Sequence, residues 1–346
     1  MGFSVRFVCT LVLACTPALA QVTPVSITGL STTLAEVDGH SLTNSDLEQQ
    51  KSGSLLQARY QYYMSQRKAL DELVDEELMS LAAAEKHISV DQLEKEIYKG
   101  ITDPTDDQLK VYFEGMESDE PYTAVKDRVL DHIRQLRRTR ARTAYVKSLH
   151  EQAHLRIMLQ PPNATVNIVD AHYMGAKQAP VTLVEFADFE CPYCQKVNPL
   201  LLKLKQEYGD KLTVVYKDFP LPMHHHSQKA AEATRCAGEQ GKYLEFHDAL
   251  YDSRQLDTPE LKKHAAALKL DQAQFDKCLD DGKEADAVKK DLEEGMKLGL
   301  TGTPSFFVNN HFFHGAVEYA TLREMVEQQL YVPPSSPSLA QTASTK

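Results

Sequence analysis

Cys191 and Cys194 bracket Pro192 and Tyr193. Two thiols at this spacing lie within disulfide reach and, on a helix, share one face. The residues before them include Val181, Leu183, Val184 and Phe186, which predict a buried strand running into a helix that begins at the cysteines. Cys191 then falls at the helix N-terminus, where unpaired backbone N–H groups favour a thiolate. The helix dipole alone supplies roughly 0.3–2 kcal/mol. Lowering a cysteine from ~8.5 to ~4–5 needs about 5 kcal/mol. A strongly acidic Cys191 therefore requires direct N–H or S–H bonds, with Tyr193 and Cys194 as the nearest donors. Cys191 is expected to be the exposed attacking sulfur, and Cys194, one turn deeper, the resolving one. A stable thiolate favours the dithiol and makes the disulfide a better oxidant.

Rival chemistries are a structural disulfide and half of a metal site. A structural zinc site wants four ligands, usually as paired Cys or Cys-plus-His motifs, and no second C-x-x-C exists. His224, His225 and His226 follow Met223, but adjacent residues cannot all converge on one ion from a regular element. They read as a solvated loop before a helix; neither metal nor cofactor is expected.

The F-x-D-F-x-C-P-Y-C pattern resembles thioredoxin-fold proteins of the DsbA type. Gly302-Thr303-Pro304 before the apolar Ser305–Val308 strengthens the resemblance. It implies that Pro304 is the cis-proline facing the cysteine pair, and that the Thr303 backbone binds an extended substrate segment. It also implies that Glu185 is the buried carboxylate that helps proton transfer at the deep cysteine. The implied fold class is an α/β thioredoxin-like domain, about 165–331, with a helical insertion at about 227–298.

The whole chain sets further bounds. It has 346 residues and a net charge of −11, enough for two domains and unsuited to nucleic acid as main partner. Residues 1–20 read as a secretory signal: Arg6, an apolar Phe7–Leu13, and Ala18-Leu19-Ala20 before a cleavage site after Ala20. The expected location is the periplasm. No later run is long and apolar enough to span a membrane. Removing the signal removes Cys9 and Cys15 and leaves four cysteines, consistent with one reactive and one structural disulfide. Cys236 and Cys278 occupy inward helix positions and are expected to pair; two buried free thiols are the alternative. Residues 21–33 read as a linker and 332–346 as a Pro/Ser/Thr-rich disordered tail.

Between them, 34–160 begins with a short strand and turn. Helices follow: Leu55 to about Lys86, Val90 to Tyr98, Asp106 to Phe113, and Tyr122 to Ala153. His154–Leu159 reads as a closing strand. Leu70, Leu73, Val74, Leu78, Leu81 and Ala82 fall on one stripe of the first helix. The arginines Arg134, Arg137, Arg138, Arg140 and Arg142 read as a solvated face. Tyr60, Tyr62 and Tyr63 read as core or intramolecular contacts. AEVDGHSLTNSDL, RKALDELVDEELMSLAAAEKHISV and the YTAVKDRVLDHIRQLRR helix resemble the N-terminal helical domain of SurA-type chaperones. No room exists for the prolyl-isomerase domain of that family.

Together these readings predict an exported thiol–disulfide oxidoreductase. Its expected partners are client proteins with cysteines and a membrane redox partner, DsbB-like if it oxidises or DsbD-like if it reduces. A homo-oligomer is also expected from the first domain. Isomerase or reductase action with chaperone activity, a holdase with a regulatory cysteine pair, and copper handling are the other readings.

Overall fold

The computed structural model describes residues 32–315 and 317–331. The expected signal peptide with its two cysteines, nearly all of the linker, and the expected disordered tail lie outside the described residues. The chain divides into two compact units, one ending at Lys51 and one beginning at Ser52.

In the first unit, β1 (Thr33–Val37) and β2 (His40–Thr43) form an antiparallel hairpin. Asp38 and Gly39 carry positive φ angles of 49° and 80°, the Asp-Gly turn whose twist suits a two-residue hairpin. Thr43 caps the helix that follows: its hydroxyl accepts from the Asp46 amide, and the Asp46 carboxylate accepts from the Thr43 amide at 2.7 Å. That helix, α1 (Asn44–Glu85), has non-helical geometry at Lys51.

The second unit holds the rest of α1, then α2 (Val90–Tyr98), α3 (Asp106–Glu114) and α4 (Tyr122–Gln152). Ser89 and Thr105 begin α2 and α3 with complete capping boxes to Gln92 and Gln108. The expected stripe on α1 is only partly buried, since Leu73 and Leu81 are exposed. The face one step round does the packing, with Met79, Ala82 and Ala83 against Leu93 and Val146. The arginines of α4 also depart from a purely solvated face. Arg134 makes a two-pronged bond to Asp103, Arg137 donates to the Thr102 carbonyl and to Gln108, and Arg142 donates to Glu94. These bonds tie α4 to α2, to α3 and to the segment between them. No strand forms at 154–159. Pro161 and Pro162 lack the N–H donors a strand needs. The Pro162 carbonyl accepts instead from the Phe312 amide, and Asn163 makes an isolated bridge to His311.

A five-stranded sheet follows, in the order β3 (His172–Met174), β5 (Leu212–Asp218), β4 (Val181–Ala187), β6 (Ser305–Val308), β7 (His311–His314). β4 and β5 are parallel and joined through α5 (Pro192–Tyr208); the other neighbours are antiparallel. Alternation along the strands gives the sheet two faces. Val181, Leu183, Leu212, Val214, Phe306 and Val308 pack with α5 and with α11 (Tyr319–Leu330). Val184, Phe186, Val215, Phe307 and Phe312 pack with Leu56, Tyr60 and Tyr63 of α1. Where α1 meets this domain, two glycines touch. A Cβ on Gly53 would lie 2.7 Å from the Gly299 nitrogen, and one on Gly299, at φ +78°, 2.5 Å from the Gly53 oxygen.

Between β5 and β6 lie α6 (Ser227–Gly238), α7 (Tyr243–Ser253), α8 (Thr258–Ala267), α9 (Gln272–Asp280) and α10 (Ala285–Lys297). Their core includes Phe246, Leu250, Leu261 and Phe275. Cys236 of α6 and Cys278 of α9 form a disulfide. A buried charge group fastens this block to the sheet. Arg235 bonds Asp218 at 2.5 Å and also Asp291, while Lys217 bonds Asp291 and, at 2.9 Å, Glu294.

Candidate active site

Cys191 is the N-cap of α5, with Pro192 in the first turn, where its missing N–H costs nothing. Cys194 lies on the same face and is fully buried. Both are free thiols. The sequence expectation of an exposed Cys191 does not hold in this form, because the residue is only 4% exposed. Packing with Phe189 and with the insertion core, and the approach of the Thr303 backbone, cover it.

The two thiols are displaced in opposite directions. A hydrogen bond from the Cys194 thiol holds Cys191 down at about 5, against burial; the amides of Cys194 and Tyr193 add to the effect. Four units correspond to roughly 5 kcal/mol between protonation states, more than the helix dipole supplies alone. Burial pushes Cys194 well above its ordinary value, and its bond to Cys191 pushes it further.

β6 brings the third component. Its pairing with β4 sets Ser305 opposite Phe186, so the preceding Thr303-Pro304 segment, with a cis peptide bond, lies against the cysteines. The Cys191 Sγ is 3.4 Å from the Thr303 carbonyl oxygen, which accepts from the sulfur only when Cys191 carries its proton. The buried Thr303 hydroxyl lacks a partner in hydrogen-bond geometry.

Glu185 lies on the α5 side of β4, two positions on from Leu183, and is 2% exposed. Burial pushes its carboxyl up to about 8, and the charge of Cys191 adds to this. One of its oxygens has no partner. Its neighbour across the parallel ladder is Tyr216.

Sequence reasoning missed Asp188. This carboxylate is 1% exposed. Oδ1 accepts from the Glu190 amide at 2.7 Å and from the Ser227 hydroxyl; Oδ2 accepts from the Leu221 amide at 2.7 Å and bonds His224 Nδ1 at 2.8 Å. Its carbonyl accepts from the Cys191 amide. Asp188 thus ties the cysteine loop to the 221–227 loop. His224 is held by it rather than freely solvated, and the three histidines do not converge on one point. The available signal was Asp188 set between two aromatic residues, Phe186 and Phe189, just before the cysteines.

Residues 167–328 match a family model described as Thioredoxin. Among curated proteins, the chain is 37% identical over 157 residues to the Na(+)/H(+) antiporter NhaA 3 of Salinispora tropica, which covers 45% of this chain and 24% of that protein. The chain therefore spans about a quarter of the length of that relative. Among solved structures, a thioredoxin-like oxidoreductase from Silicibacter pomeroyi is 30% identical with a TM-score of 0.43, covering 46% of this chain and 92% of that one. Wolbachia pipientis alpha-DsbA1 is 25% identical with a TM-score of 0.43, covering 47% and 92%. The C-terminal half is a thioredoxin-like domain preceded by a mostly helical region.

Proposed function

We propose that this thioredoxin-like domain catalyses disulfide formation or exchange in exported proteins through Cys191 and Cys194. The observation that carries this reading is the placement of two free thiols on the first turn of α5, with the Cys191 sulfur at the N-cap and 3.4 Å from the Thr303 backbone. A client thiolate attacks the Cys191 sulfur of the oxidised pair and displaces Cys194. The mixed disulfide is held along Thr303-Pro304. A second client thiolate then attacks the client's own sulfur in that mixed disulfide, forms the client disulfide and expels Cys191 as the thiolate it stably forms. Glu185, neutral at pH 7 by virtue of its burial, supplies the proton that the departing Cys194 sulfur needs.

On this reading the protein works outside the cytoplasm, with a DsbB-like membrane oxidase to reset it, or a DsbD-like reductase if it isomerises. The helical region before the domain serves as client contact or oligomer interface.

The test is a redox titration against glutathione beside refolding of a scrambled-disulfide substrate. Oxidation of a reduced peptide at stoichiometric enzyme supports the reading. A wild-type protein that exchanges no disulfide with peptide thiols overturns it.

A further inference from the structure

Among the described residues, six buried side-chain polar atoms lack a hydrogen-bond partner. Buried polar groups are normally satisfied, so a cluster of exceptions points to a polar function or a bridging water. Five of the six belong to Thr303, Glu185, Tyr216, His247 and Asn198. Thr303 and Glu185 are at the cysteine pair. The other three lead away from it.

Glu185 of β4 and Tyr216 of β5 are ladder neighbours on one face of the sheet. The Tyr216 ring stands 4.4 Å from the ring of His247 in α7. His247 is 2% exposed and also packs on Phe189 and Tyr251. Its Nε2 has no partner, whereas Nδ1 meets Asp248 Oδ1 at 3.0 Å. Asp248 accepts as well from Asn198 Nδ2 at 3.1 Å, and its side chain is 36% exposed. The string therefore begins at a buried carboxyl under the resolving cysteine and ends at a carboxylate in contact with solvent. The titratable groups around it are Cys191 and Cys194 at the start of α5, Glu185 from β4, Tyr216 from β5, and Tyr243, Asp248 and Tyr251 from α7.

We propose that His247 and Asp248 form a proton relay that connects Glu185, and through it Cys194, to solvent across the sheet–insertion boundary. The inference rests on the thiol–disulfide reading above. When a client thiolate attacks Cys191, the Cys191–Cys194 bond breaks and Cys194 leaves as a thiolate. The Glu185 carboxyl protonates it and becomes a carboxylate. His247 gives its Nε2 proton to Glu185, through the Tyr216 hydroxyl or a bridging water, as Nδ1 takes one that enters from solvent at Asp248; the ring then turns over, so that a protonated nitrogen again faces inward and a bare one faces Asp248. Electrons pass from client to cysteine pair, and one proton passes from solvent to Cys194. Oxidation of the pair runs the same path outward. Asp248 keeps the imidazole in the orientation that leaves Nε2 facing inward service, as second partners of histidine commonly do.

His247→Gln and Asp248→Asn test this in the full chain. The assay is stopped-flow reduction of the oxidised protein by a dithiol peptide at pH 6.5, alongside the equilibrium constant with glutathione. A relay predicts at least a fivefold slower reduction for His247→Gln, a smaller loss for Asp248→Asn, a larger solvent deuterium isotope effect in both, and an equilibrium constant unchanged within twofold. Merely structural residues would shift the equilibrium or the melting temperature and leave the isotope effect alone. Wild-type exchange with both variants within twofold of it overturns the relay and leaves the enzyme reading intact. Should His247→Gln not fold, the half-exposed Asp248→Asn decides: an unaltered rate and isotope effect reject the proposal.

Discussion

Cys194 donates its thiol hydrogen to the sulfur of Cys191; that bond depresses Cys191, while burial first and the bond second raise Cys194. The pair is therefore asymmetric before any client arrives. The sulfur at the helix N-cap is an anion at neutral pH, and the one a turn deeper keeps its proton.

Alkylation should report this directly. The rate of modification of reduced protein is expected to rise with a midpoint near pH 5 and to be flat above about pH 6. Cys194→Ala removes the largest depressing contact, so its midpoint should rise by about one unit or more. An unchanged midpoint would mean that the backbone amides alone hold the anion.

Glu185→Gln should stabilise the protein at alkaline pH. The folded-state value of Glu185 is raised, to about 8, so the neutral form's contribution is complete below an unfolded value of ~4.3 and is lost as pH rises through 8. Cys191 has the opposite sign: its contribution to the reduced protein is complete above ~8.5 and is lost as pH falls through about 5. The variant should match wild type near pH 4 and exceed it by roughly 5 kcal/mol at pH 9. Urea melts at the two pH values check this.

The Cys236–Cys278 bond closes a loop with a sequence separation of 42. Loop-closure entropy gives roughly 4 kcal/mol for such a crosslink. Replacing both cysteines by alanine should lower the melting temperature by on the order of 10 °C and leave peptide oxidation within about twofold. Calorimetry with a peptide assay on the same sample separates the two outcomes.

Asp188→Ala strips acceptors from two backbone amides, the Ser227 hydroxyl and His224. Leaving buried donors unpaired costs about 1–3 kcal/mol each at the upper end, so a total loss of roughly 3 kcal/mol is expected. Hydrogen exchange should show the 188–191 and 221–227 loops opening together. Loosening confined to one loop would contradict the tie between them.

What the sequence disclosed follows from the range of the forces involved. The strand into Cys191 and the helices that begin after Ser89 and Thr105 are set by neighbours in the chain, and their positions were readable. Asp188 and His224, or Tyr216 and His247, meet only after β4, β5 and the insertion pack, so their partnership has no local signature. The exposure of Cys191 was misjudged for the same reason, since Thr303 arrives from a strand more than a hundred residues away. Leu73 and Leu81 satisfied a helical period yet stay exposed, because periodicity cannot say which of two adjacent stripes a neighbouring helix will cover.

The meeting of Gly53 with Gly299 leaves no clearance between α1 and the backbone that leads into Thr303. Contact there is main chain on main chain, reinforced by the Gln57 amide on the Gly299 carbonyl at 2.9 Å. A long helix seated on bare backbone cannot roll without lifting off. Any load applied to its turns beyond Tyr63 would therefore be delivered, like torque through a keyed shaft, to the segment that leads into Thr303.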